Sequence, residues 1–137
     1  MQYRDFGNLG YKVSALGYGA MRLPENDNGD VDRDAAVAVI REAVDSGINY
    51  VDTAPLYNRN QSEEVVGEAL AGGYRERVWL STKNQRENDD PDDWRRRLED
   101  SLRKLTRSRP RAARRMTASS ATSSSRSTRR RRIYLKL

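Results

Sequence analysis

The chain has 137 residues, a formal net charge of +6, no cysteine and no histidine. That length suits one domain with a single core, and the two missing residue types exclude disulfides, thiol nucleophiles, cysteine or histidine zinc sites and any imidazole base. The charge is divided along the chain: residues 1–105 carry 15 basic against 20 acidic residues, a net −5, while 106–137 carry 11 basic residues and no acid. No apolar run approaches membrane-spanning length, and the opening MQYRDFGNLG has no basic start followed by an apolar segment, so a cytoplasmic protein is expected.

In chain order, MQYRDFGNLGYKVSALGYGAMRL reads as a short hairpin with Asn8 to Gly10 at or beside its turn, then a strand around Ala15 to Gly19. ENDNGDVD is a polar loop. From Asp32, a candidate N-cap, Val37, Ile40 and Val44 recur at helical spacing, and Gly47 is placed to end the helix. INYVDTA is a buried strand. A second helix begins near Ser62, a candidate cap with Glu63 and Glu64 in the first turn, and runs to Gly72 and Gly73. RVWLSTK is a third strand. Asp90 and Pro91 open a third helix with Trp94, Leu98, Leu102 and Leu105 on one face. Strand and helix alternate three times with short connections, which predicts an α/β unit with a parallel sheet over residues 1–105. From 106 to 137 there is no periodicity and no glycine, and only the closing IYLKL is apolar, so a disordered Arg/Ser-rich tail is expected.

Parallel α/β sheets collect functional groups at the carboxyl ends of their strands, and Asp52, Tyr57 and Lys83 fall there or just beyond. Together they make a candidate proton donor: an ammonium near a phenol stabilises phenolate, and a carboxylate fixes the ammonium. On spacing alone an alternative stays open, in which Asp52 caps a loop, Tyr57 packs on the surface and Lys83 is solvated. Other motifs are weaker. Gly17 to Arg22 gives G-x-G-x-x-R without a third glycine and is followed by Leu23-Pro24, against a phosphate-binding turn. The acids around Gly29 do not fall in the register of a calcium loop. Asp89, Asp90, Asp92 and Asp93 are accounted for by helix capping.

The motifs MQYRDFGNLGYKVSALGYGAMRL, GINYVDTAPLYNRNQSEEVVGEAL and RVWLSTK, in this order and at these distances, resemble the start of an aldo-keto reductase, of the bacterial type with G-A-M-R-L-P at Gly19 to Pro24. The resemblance covers residues 1 to about 105. It implies part of an eight-stranded (β/α) barrel: an N-terminal hairpin that closes the bottom and about three βα units, incomplete. It also implies NADPH-dependent reduction of an aldehyde or ketone. Carried over by motif, Tyr57 is the general acid, Lys83 the lysine that tunes it and Asp52 the aspartate of D-T-A, while Met21, Arg22 and Asp52 are the expected cofactor-binding positions, with no metal.

Two departures follow. The family places a histidine at the end of its fourth strand, and this chain has none. A full barrel takes about 250 residues, so three units leave an open parallel edge, and much of the dinucleotide site would lie beyond them. The reading is a truncated member, inactive alone, whose segment after about residue 105 is an out-of-frame translation. The competing function is non-enzymatic binding of nucleic acid or another polyanion through the Arg-rich tail. With Tyr134 as its one aromatic, that tail would bind without sequence preference and in a salt-dependent way.

Overall fold

The computed structural model describes residues 1–85, 90–106, 117–119 and 130–136. Strands β1 (Tyr3–Asp5) and β2 (Lys12–Ser14) form an antiparallel hairpin with Tyr3 opposite Ser14. The turn lies where expected: Phe6 N donates to Tyr11 O at 3.0 Å, and Gly7 and Gly10 take φ of 57° and 74°, which residues with a Cβ rarely adopt.

Three strands follow in parallel: β3 (Tyr18–Gly19), β4 (Tyr50–Asp52) and β5 (Trp79–Gln85), with Gly19 opposite Asp52 and Asp52 opposite Ser81. Helix α1 (Arg33–Asp45) joins β3 to β4, α2 (Ser62–Ala69) joins β4 to β5, and α3 (Pro91–Leu105) follows β5. The hairpin covers the amino ends of these strands. Tyr11 stacks on Trp79 with ring centroids 3.5 Å apart, Phe6 lies against Tyr50, and Asn49 both accepts from Ser14 N and donates to Lys12 O. This is the βα portion of a TIM-type barrel with its bottom closed, and it leaves the carboxyl ends of β4 and β5 clear of the hairpin.

The helices form for the local reasons read from sequence. Asp32 accepts from Ala35 N at the start of α1, and Ala36, Ile40 and Val44 make a buried stripe at four-residue spacing. Asp90 caps α3, with Pro91 at its first position, and Leu98 and Leu102 pack on the core that buries Leu105. The core lies between sheet and helices, where Val51 and Leu80 meet Ile40, Val65, Val66 and Leu70. Ser62 departs from its expected role. Gln61 holds the cap position, and Ser62 is the first helical residue with its hydroxyl donating to Ala20 O at 2.7 Å. A buried hydroxyl needs a partner, and this one finds it on another strand's exit rather than on its own helix.

The edge of β5 is the other departure. Beyond Thr106, which caps α3, the described residues are strands, β6 (Thr117–Ser119) and β7 (Arg130–Lys136); the rest of the expected tail lies outside the described residues. β7 runs antiparallel to β5 from Leu80↔Leu135 to Gln85↔Arg130, and β6 pairs in turn with β7, giving the order β3-β4-β5-β7-β6. The expected open edge of β5 is therefore occupied. A row of unpaired N–H and C=O groups is a template for any extended segment, and here the chain's own end fills it.

Candidate functional site

Asp52 ends β4, and Lys83 lies on β5 two residues beyond Ser81, the register partner of Asp52. Alternate residues of a strand share a face, so Ser81 and Lys83 both turn toward Asp52. Ser81 Oγ donates to Asp52 Oδ2 at 3.1 Å, and Lys83 Nζ donates to Asp52 Oδ1 at 2.5 Å and to Thr53 O at 3.0 Å. The lysine side chain is only 8 % exposed, so its charge depends on these oxygens.

Tyr57 arrives from the loop after β4. Its backbone N donates to Ala54 O, and its carbonyl accepts from Ser62 N. This return brings the ring under Lys83, whose ammonium sits over it, 4.8 Å from the centroid. The three residues singled out from sequence thus converge, with Lys83 touching both others. The turn after β3 flanks them: Ala20 N donates to Asp52 O at 2.8 Å, and Met21 and Arg22, which follow directly, are exposed.

Several contributors escape a sequence reading because their partners are remote in the chain. Thr53 Oγ1 and Ser62 Oγ lie 2.8 Å apart, joining the end of β4 to α2. Asn58, Arg59 and Gln61 reach across to the end of β3 and the loop after it. Glu63, fully buried, accepts from Thr82 Oγ1 at 2.7 Å. Burial pushes the Glu63 carboxyl above its ordinary value, against the opposing pull of Thr82, Ser101 and Lys104. Thr82 alternates with Lys83, so this carboxyl stands on the helix side of the sheet and outside the cluster. A cleft of about 370 Å³ bounded by Pro55, Leu56, Asn84, Asp93 and Arg97 lies by α3, and Asn84, which also alternates with Lys83, puts it on the helix side too.

Among the described residues no group of three or more acidic, histidine or cysteine side chains could hold a metal, and no helix is long and apolar enough to cross a membrane. The polar loop is organised by Asn26, whose side-chain oxygen accepts from the backbone N of Asn28 and of Asp30.

Residues 15–110 match the family model described as the aldo/keto reductase family. The chain belongs to the aldo/keto reductases. It is 38 % identical over 84 residues to the aldo-keto reductase YhdN of Bacillus subtilis, covering 61 % of this chain and 25 % of that protein. It is 46 % identical over 70 residues to an L-galactose dehydrogenase of Arabidopsis thaliana, covering 51 % of this chain and 22 % of that one. Among solved structures, the aldo-keto reductase AKR11C1 from Bacillus halodurans, in its holo form, superposes with a TM-score of 0.62 at 33 % identity, over 77 % of this chain and 36 % of that chain. An aldo-keto reductase from Klebsiella pneumoniae in complex with NADPH gives 0.59 at 35 % identity, over 69 % and 32 %. The chain thus spans about a quarter of the length of these two curated relatives.

Proposed function

We propose that this chain carries the acid–base centre of an NADPH-linked reductase of aldehydes or ketones, with Tyr57 as the proton donor. The observation that carries the reading is the position of Lys83, whose one ammonium is held by Asp52 and Thr53 and lies over the Tyr57 ring.

The nicotinamide, when bound, supplies hydride to the carbonyl carbon. The residues of this chain manage the charge that results. As the carbon is reduced, the carbonyl oxygen gains negative charge, and the Tyr57 hydroxyl delivers a proton to it, which completes the alcohol. Negative charge then resides on the phenolate, where the adjacent ammonium stabilises it. Asp52 and Thr53 keep the ammonium in place through the step, and Ser81 keeps Asp52 in place. Fit to the cofactor is supported at one end: Met21 and Arg22 are exposed directly after Ala20, whose N donates to Asp52 O at the strands' carboxyl ends, so these three are the residues assigned to the cofactor. A cytoplasmic setting belongs to the same proposal and is compatible with the cysteine-free sequence. Nothing in the described structure favours the polyanion reading over this one.

The test is to graft residues 15–105 into the Bacillus subtilis relative in place of its matched segment, and to follow NADPH oxidation with a simple aldehyde. The graft should turn over, and Tyr57→Phe should lower kcat by roughly 10²-fold or more. A folded graft whose turnover ignores Tyr57→Phe would exclude Tyr57 as the acid.

A further inference from the structure

Residues 58–60 all lie in the left-handed region of backbone space, with φ of 48°, 51° and 69°. Asparagine tolerates that region better than other residues with a Cβ, but three such residues in a row persist only where their surroundings hold them. Backbone bonds close the turn itself, from Gln61 N to Asn58 O and from Ser62 N to Tyr57 O, and the side chains around it reach one segment, the end of β3 and the loop beyond it. With its amide oriented to satisfy its neighbours, Asn58 Nδ2 donates to Ala20 O at 3.1 Å and Met21 O at 3.2 Å, and Asn58 Oδ1 accepts from Leu23 N at 3.3 Å. Arg59 donates to Asn28 O at 3.1 Å. Gln61 donates to Asp30 Oδ1 and accepts from Val31 N, both at 2.8 Å.

These contacts form a clasp between the turn that carries Tyr57 and the loop that begins with Met21 and Arg22. We propose that Asn58 is a positioning residue, which fixes the left-handed turn directly after Tyr57 and thereby sets the Tyr57 ring beneath Lys83. Asn58 is the member of the clasp adjacent to Tyr57, and its three bonds converge on the four residues from Ala20 to Leu23. Displacement of the turn would carry the ring away from Lys83, whose own place is fixed by Asp52 and Thr53 on the sheet. The functional meaning of this inference rests on the proposed role of Tyr57, but its geometry can be read without turnover.

The experiment uses the full chain and two readouts, amide exchange over residues 20–31 and the NMR ring signals of Tyr57, identified by their loss in Tyr57→Phe. Lys83→Met provides the ring signals of a Tyr57 without its ammonium. Asn58→Gly keeps the left-handed turn accessible and removes only the side-chain bonds. Exchange at residues 21–23 should rise by about tenfold or more, and the Tyr57 signals should move toward those of Lys83→Met. Asn58→Asp, which retains the acceptor for Leu23 N but sets a carboxylate against the Ala20 and Met21 carbonyls, should move them in the same direction and serves if the glycine variant does not fold. Ring signals unchanged in a folded variant would overturn the proposal even with faster exchange, since Asn58 would then hold only the loop. Moved signals alongside a grafted chain without turnover would sustain the positioning role and remove the reductase reading instead.

Discussion

Lys83 holds a charge where water barely reaches, and its arrangement with Asp52 makes a stability prediction as well as a catalytic one. A buried pair is a weak source of net stability, but removal of one member leaves the other charge uncompensated. Asp52→Asn should therefore lower the unfolding free energy by roughly 3–5 kcal/mol, and Asp52→Asn with Lys83→Met should recover most of that loss. Denaturant unfolding of the two variants would check it, and equal losses would mean that Lys83 finds water or Thr53 sufficient. Glu63 predicts a pH dependence of definite sign. Its carboxyl is raised by burial, so the folded state binds the proton more tightly than the unfolded chain, whose value is near the ordinary 4.5. The Glu63 contribution to stability is full below that ordinary value, falls as pH rises through the interval up to the raised value, and stays lost above it. Glu63→Gln keeps an acceptor for Thr82 Oγ1 and abolishes the titration. The difference in melting temperature, variant minus wild type, should thus rise from acid to neutral pH, and a constant difference would show that Glu63 is not burdened by burial.

At the scale of elements, α2 and α3 pack closely at Gly67. A Cβ on Gly67 would overlap Lys104 O and lie 3.2 Å from the Leu105 Cα, backbone positions that cannot turn aside. Alanine is the better helix former by about 1 kcal/mol, yet the clash requires the helices to part. Gly67→Ala should be net destabilising by roughly 1–3 kcal/mol, measured by thermal or denaturant unfolding, and a stabilised variant would mean that α3 shifts freely. The elements also show which parts of the fold are legible in sequence. Asp32, Asp90, Pro91 and the stripe Ala36, Ile40, Val44 act within a few residues of themselves, so composition and spacing reveal them. Asp52, Tyr57 and Lys83 are legible because motifs mark them and a parallel register brings strand ends together. Ser62 is misread as a cap because its partner, Ala20 O, is 42 positions away, and the Asn58 clasp is hidden for the same reason. Backbone pairing of β7 with β5 joins residues some fifty positions apart, and a run of arginines without periodicity gives no local sign of it.

At the scale of the whole molecule, the sheet reaches its order through β7, which lines the edge of β5 along six register pairs. Removal of residues 117–137 should bare that edge and drive self-association, visible as a rise in sedimenting mass; a monodisperse monomer would show that the edge is protected without β7. The chain by itself should give NADPH-dependent reduction of simple aldehydes no higher than background, because it spans about a quarter of its relatives and has no histidine to orient a carbonyl. Turnover that disappears in Tyr57→Phe would contradict this and would mean that the cluster suffices.

The account rests on Tyr57 and Lys83 acting as one unit, and a double-mutant cycle on the grafted chain tests this most directly. Groups that act together are non-additive, so the first loss removes what the second would have removed. Tyr57→Phe and Lys83→Met should each lower kcat by roughly 10²-fold or more, and the double variant should be no slower than the slower single variant. Losses that multiply in the double variant would contradict the account, because Lys83 would then act independently of the proton that Tyr57 delivers.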